Sequence, residues 1–242
     1  MVDALLEVNG LIAGYDPDFP ILQGVDIRLK KNALTLVIGP NGAGKSTLIK
    51  AIAGVVPSFS GRIQIGGKSL RDIRPDQLSE FGISYVPQTE NIFRNLSVRR
   101  NIELVLGLAG HQHSGKFNEL IDLFPALSER LKAKAGALSG GQRQMLALAM
   151  ALAKKPSILL MDEPSAGLSP KVAEDVLTFT KSLTSQEVTI LLVEQNVKRA
   201  LAVADHCYIL AEGKNQLNDT AKKLIDNPLI SEIFMGRKRV LI

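Results

Sequence analysis

Near its start the chain alternates. Residues 5–8 and the run Val25-Asp26-Ile27-Arg28-Leu29 put every second side chain on an apolar face, the period of a half-buried strand. Asn9-Gly10 between them carries the dipeptide of a tight hairpin turn, so antiparallel β structure is expected at the N-terminus. From Leu34 the period disappears: Leu34-Thr35-Leu36-Val37-Ile38 is a continuous apolar run, as in a strand covered on both faces. It leads into a glycine-rich loop and a helical stretch over 46–53. Two more such runs, 157–161 and 188–193, alternate with helical segments, which predicts a parallel sheet flanked by helices. One of those helices spans 145–153 and ends at Lys154-Lys155-Pro156, basic residues followed by a breaker. From about 88 to 137 no buried strand occurs. That segment is helical with polar breaks such as His111-Gln112-His113-Ser114-Gly115, and reads as an inserted subdomain. The expected layout is an α/β core with an antiparallel β part over 1–87 and 138–242, interrupted by a helical insert over 88–137.

Composition narrows the partners. The chain has 242 residues, a net charge of +5, 22% charged residues and one cysteine, an ordinary globular profile at a length that fills a core without disulfides. The longest uncharged apolar stretch, 145–153, is about half of what a membrane span needs. The first residues lack the basic and long apolar regions of a secretory signal, and Cys207 has no intrachain partner, so a cytoplasmic location is expected. The basic pairs are scattered, and aromatics make up only 5%, too few for base-stacking platforms, so no nucleic-acid partner is expected. The densest basic cluster, Arg237-Lys238-Arg239, reads as a solvated tail, and His111 and His113 as a solvated loop.

The chemistry is concentrated in three motifs. Gly39-Pro40-Asn41-Gly42-Ala43-Gly44-Lys45-Ser46-Thr47 fits the phosphate-loop pattern G-x-x-x-x-G-K-[ST] and lies between a predicted strand and helix, as that loop requires. Its glycines let successive backbone N–H groups turn toward one phosphate chain, and the following helix adds its positive dipole end. Lys45 supplies charge to the β- and γ-phosphates, the Ser46 hydroxyl suits Mg²⁺, and Thr47 adds an α-phosphate contact. Next, Ile158-Leu159-Leu160-Met161-Asp162-Glu163 ends a buried strand in two carboxylates. At the carboxyl edge of a parallel sheet Asp162 reaches the Mg²⁺ shell, leaving Glu163 to deprotonate an attacking water. Third, Leu138-Ser139-Gly140-Gly141-Gln142 opens the long apolar helix. Ser139 and Gln142 have the spacing of a capping box, and the glycines leave N–H groups bare for a second phosphate site.

This last pentapeptide, in order behind the phosphate loop and Asp162-Glu163, resembles the ATP-binding subunits of ABC transporters, and the likeness covers nearly the whole chain. The resemblance implies ATP and Mg²⁺ as ligands and a head-to-tail dimer with a second ATPase subunit, identical or paralogous. ATP would then lie between Lys45 and the backbone of 39–47 in one copy and Ser139, Gly140, Gly141 and Gln142 of the other. It implies further roles: Tyr15, with Phe19 as a substitute, stacks on adenine, and Gln88 reaches Mg²⁺ and the attacking water. Residues 165–170 form a dimer contact. Many members carry His where this chain has Gln195, which donates a hydrogen bond but cannot be cationic. Val193-Glu194-Gln195-Asn196 and the C-terminal 230–236 are similar to importers of branched-chain amino acids or related amides. Residues 87–93 and 96–98 also resemble the ATPase of lipopolysaccharide export. Permease subunits at the inner face of the cell membrane are the implied partners, docking on the insert from 88 to about 108. A soluble ABC-type ATPase is the reading from another class; such chains usually carry a coiled coil or a second nucleotide domain.

Overall fold

The computed structural model describes residues 4–70, 73–107, 114–225 and 227–235; the histidine pair 111 and 113 and the basic cluster 237–239 lie outside them. The period-2 segments pair as expected, with one correction. The first strand does not stop at Asn9-Gly10. β1 (Ala4–Ala13) runs straight through it, between β2 (Leu22–Lys30) on one side and β4 (Ser58–Ile65) on the other. The pairing shifts register between Val8 and Leu11, and Gly10 sits at φ +58°, so the dipeptide supplies a bulge and not a turn. Apolar alternation continues past it, with Leu11 and Ala13 fully buried, and that burial favours extending the strand over reversing it. The actual β1–β2 connection is the loop 14–21. With β5 (Lys68–Ser69) these strands form an antiparallel sheet in the order β2-β1-β4-β5.

The second sheet has six strands in the order β10-β9-β3-β8-β7-β6. β3 (Leu34–Ile38), β7 (Ile158–Asp162) and β8 (Thr189–Val193) are the continuous apolar runs, every residue buried. β6 (Ile83–Val86) and β9 (His206–Ala211) extend the parallel part, and β10 (Lys214–Thr220) closes it antiparallel to β9. Alternate residues face opposite ways. Leu34, Leu36, Ile38, Leu159, Met161, Ile190 and Leu192 pack with the helices on one side. Val37, Ile158, Leu160, Leu191 and Val193 pack with α1 (Lys45–Ile52) and the antiparallel sheet on the other. Burial on both faces is why these strands read as unbroken apolar runs.

Between β6 and β7 the chain forms α2 (Val98–Leu106), α3 (Ser114–Asp122), α4 (Pro125–Ser128) and α5 (Gly140–Leu152). Ser97 caps α2, its hydroxyl accepting from Arg100 N–H at 3.2 Å. The fully buried Asn101 side chain accepts from Phe93 N–H and donates to the carbonyls of Phe93 and Ser97, which holds the loop before α2. α6 (Pro170–Ser182), α7 (Val197–Val203), α8 (Ala221–Leu224) and α9 (Pro228–Phe234) complete the chain. This is the P-loop NTPase architecture with an added antiparallel sheet. Among the described residues no helix is long and apolar enough to cross a membrane.

Candidate functional site

Register brings the motifs together. Val37 of β3 pairs with Val193 of β8, Asp162 of β7 pairs with that same Val193, and Val86 of β6 pairs with Met161. Four parallel strands therefore end along one edge, and each is followed by a predicted functional segment: 39–47 after β3, Gln88 after β6, Glu163 after β7 and Gln195 after β8. An open parallel sheet binds ligands at this carboxyl edge.

The phosphate loop is folded around its lysine. Gly44 caps α1 at φ +95°, a left-handed conformation that a side chain resists, and an added Cβ would stand 2.7 Å from Leu22 Cδ2. Lys45 is buried and its Nζ donates to the carbonyls of Gly39 (2.9 Å) and Pro40 (3.1 Å). Burial pulls its ammonium below the ordinary lysine range, against the attraction of Glu163 and Asp162. Thr47 is buried on the same turn. Ser46 Oγ donates to Asp162 Oδ1 at 3.0 Å, so two hard oxygens from distant segments already face each other. Burial raises the Asp162 pKa, with the Ser46 bond and the nearby Lys50 and Lys45 opposing.

Glu163 takes φ +46°, a left-handed backbone strained for a non-glycine residue. Its N–H makes the last ladder bond of its strand, to Val193 C=O at 2.9 Å, and its Oε2 accepts from Gln88 Nε2 at 2.9 Å. Burial, then the negative charges of Asp162 and Glu194, raise its pKa against the pull of Lys45. Such a carboxylate has gained proton affinity, as a general base needs. Gln195 Nε2 donates to Asn41 Oδ1 at 3.1 Å, joining the last core loop to the phosphate loop.

The pentapeptide opens α5. Ser139 Oγ accepts from Gln142 N–H (3.3 Å) and Gln142 Oε1 accepts from Ser139 N–H (3.0 Å), the reciprocal capping box read from the sequence. The neighbours of its glycines are Leu168 and Val172, in and after the loop that follows Glu163. Tyr15 and Phe19 are 66% and 78% exposed on the loop 14–21, whose Ile21 approaches Gly44. One participant had no role in the sequence reading: Glu194, a buried carboxylate between β8 and Gln195. An acid directly after the four apolar residues 190–193 was the available signal.

The model of the family described as ABC transporter matches residues 22–166, from β2 through the phosphate loop and pentapeptide to Asp162-Glu163. The chain belongs to the ABC transporter family. Among its relatives, the probable branched-chain amino acid transport ATP-binding protein LivF of Archaeoglobus fulgidus is 42% identical over 96% of this chain and 99% of its own length. The lipopolysaccharide export system ATP-binding protein LptB of Escherichia coli is more distant, 31% identical over 89% of this chain and 91% of its own. A solved structure of the ADP conformation of MJ1267, an ATP-binding cassette of an ABC transporter, superposes with a TM-score of 0.86 at 29% identity, covering 97% of this chain and 99% of that one. The likeness of this ABC chain to LivF exceeds that to LptB in both identity and coverage.

Proposed function

We propose that the chain is the ATP-hydrolysing subunit of an importer of branched-chain amino acids or related amides, acting at the inner face of the membrane on separate permease subunits. The observation that carries this reading is the near full-length likeness to LivF, joined to a carboxyl edge where Lys45, Ser46, Asp162, Glu163, Gln88 and Gln195 converge. The lower identity to LptB puts lipopolysaccharide export second.

In this reading the backbone of 39–47, Lys45 and Thr47 hold the phosphates and Tyr15 lies on the adenine. Ser46, Asp162 and Gln88 offer only neutral or anionic oxygens, a donor set that fits Mg²⁺. When bound, Mg²⁺ supplies positive charge to the β- and γ-phosphate oxygens. Glu163 takes the proton of the attacking water, and Gln195 and Lys45 donate to the γ-phosphate as charge develops there. The helix start capped by Ser139 and Gln142 belongs to a motif separate from the phosphate loop, so in this reading Gly140, Gly141 and their neighbours serve the nucleotide of a second copy. Hydrolysis removes charge from the interface, the copies part, and the helical insert over 88–137 passes the movement to the permease.

The test is to purify the Glu163→Gln variant with ATP from its native membranes, identify what accompanies it, and assay the same assembly, reconstituted with the parental chain, for ATP-driven leucine uptake. A polytopic permease and uptake are expected. Lipid-handling companions would move the reading to export, and ribosomes, DNA or no companion to a soluble ATPase.

A further inference from the structure

Glu194 is 2% exposed, and a carboxylate so placed is costly unless hydrogen bonds replace its water. Both of its oxygens are used, each by a different loop. Oε1 accepts from the buried N–H of Ser165 at 3.0 Å, and Oε2 accepts from the N–H of Gln195 at 3.1 Å. Its own N–H donates to Val37 C=O at 3.3 Å, which roots the residue against β3.

The position of this side chain follows from the sheet. β7 and β8 pair in parallel up to Asp162 and Val193, and the ladder ends with the bond from Glu163 N–H to Val193 C=O. Past that point one chain turns into 163–165 and the other into 194–196. The Glu194 carboxylate spans the fork, bonding the backbone two residues after Glu163 and the backbone of Gln195. A hydrogen bond from N–H to a charged acceptor is roughly twice as strong as a neutral one, so one side chain fixes the relative placement of both loops. Glu163 sits at φ +46°, a conformation that persists only where its surroundings impose it, and the bond at Ser165 is part of that imposition.

We infer that Glu194 is a positioning residue: its carboxylate clamps the loop of Glu163 to the loop of Gln195, so that the water-activating group and the γ-phosphate donor keep one relative geometry. The inference rests on the proposed roles of Glu163 and Gln195, but the clamp is also observable without catalysis.

Glu194→Gln keeps size and one acceptor but turns an NH₂ toward a backbone donor, and Glu194→Asp keeps charge but is too short to reach both loops. In each variant, hydrogen exchange of the Ser165 and Gln195 amides, read by NMR on the full chain, is expected to accelerate at one or both sites. Turnover is expected to fall by about ten- to a hundredfold, the cost of misplacing a reacting group by about 1 Å. KM for ATP should stay within about twofold, because the phosphate loop is untouched. A merely structural role would lower the melting temperature without that split between kcat and KM. Unchanged exchange at both amides overturns the clamp. Faster exchange with parental turnover, where Glu163→Gln abolishes it, overturns its part in catalysis. If Glu163→Gln itself turns over at the parental rate, the base assignment fails instead, and amide exchange alone decides the clamp.

Discussion

Gln88 Nε2 donates to Glu163 Oε2 across 2.9 Å, joining residues 75 positions apart in sequence. Gln88 follows β6 and Glu163 follows β7, so this bond directly links the start of the proposed insert to the carboxylate proposed to activate water. It also occupies one of the two oxygens of the proposed base. The amide carries no charge, so it restrains the carboxylate without the strong stabilisation an ammonium would give, and Glu163 keeps its raised proton affinity. Gln88→Ala is expected to lower steady-state turnover by about tenfold, less than the ~10²- to 10⁴-fold loss for Glu163→Gln, where the base itself is removed. Phosphate release at saturating ATP measures both. Equal losses would mean that Gln88 does more than orient.

The raised pKa of Glu163 fixes the sign of a stability effect. A carboxyl whose folded pKa lies above its unfolded value binds protons more readily when folded. It favours folding below the unfolded pKa, and that contribution is lost as pH rises through the folded pKa. Above its folded pKa the carboxylate of Glu163 is therefore carried at a cost to the folded chain. Glu163→Gln should raise the melting temperature of the nucleotide-free protein at pH 7, and the gain should shrink toward acid pH, where the parental carboxyl is itself neutral. Scanning calorimetry across that range checks it. A gain that does not depend on pH would assign the effect to something other than charge.

Much of this site was legible because its parts are local. Residues 34–38, the loop 39–47 and the helix after it occupy consecutive positions, and the structure moves the helix start by one residue, to Lys45. The capping box of Ser139 and Gln142 was equally local. What escaped the sequence is set by tertiary pairing. Lys214–Thr220 is almost wholly polar, yet it forms β10 because β9 offers it a backbone ladder at the sheet edge. Asn9-Gly10 signals a positive φ, and nothing local tells a bulge in a continuing strand from a hairpin turn. The bridging role of Glu194 escaped for the same reason: one of its two partners, Ser165, lies 29 residues away.

The pentapeptide glycines open α5 and also carry a packing constraint. A Cβ on Gly141 would stand 2.4 Å from Val172 Cγ1, at the start of α6. Gly141→Ala must therefore push α6 or α5 aside, and overpacking of this kind costs about 1–3 kcal/mol. Adding Val172→Ala removes the clash and should return most of the lost melting temperature. If Gly141 also serves the nucleotide of a second copy, the double variant will remain deficient in ATP-driven dimerisation, measured by size-exclusion chromatography in the Glu163→Gln background. Full recovery of dimerisation would reduce Gly141 to a packing role.

Removing the Ser139 hydroxyl separates cap from ligand in the same way. Ser139→Ala loses the acceptor for Gln142 N–H and should destabilise the chain by about 1 kcal/mol, the usual cost of an N-cap. Ser139→Asp restores a capping oxygen but puts a negative charge where a partner's γ-phosphate would lie. The Asp variant is expected to melt near the parental temperature and fail to dimerise with ATP, whereas the Ala variant melts lower and dimerises weakly. Dimerisation of the Asp variant at the parental level would remove Ser139 from the nucleotide interface.

Gln195 occupies a position where an imidazole would bring a charge that titrates, and the amide brings none. Its Nε2 donates to Asn41 Oδ1 in the phosphate loop, which uses one of the two N–H groups of the amide and leaves the other for the proposed γ-phosphate contact. Gln195→Ala should lower turnover by up to about 10²-fold, the loss typical of one transition-state donor. Asn41→Ala removes only the side-chain acceptor that anchors the amide, so it should leave the proposed donor function in place and lower turnover far less. Gln195→His tests the charge directly. If a cation helps, its turnover relative to the parent should climb as pH falls through the imidazole range near about 6.5, a pH dependence that the amide cannot give. Parental turnover and dimerisation in Gln195→Ala would show that Gln195 does not sense the γ-phosphate, and the coupling between the last core loop and the phosphate loop would then have to run through Glu194 and the backbone it bonds.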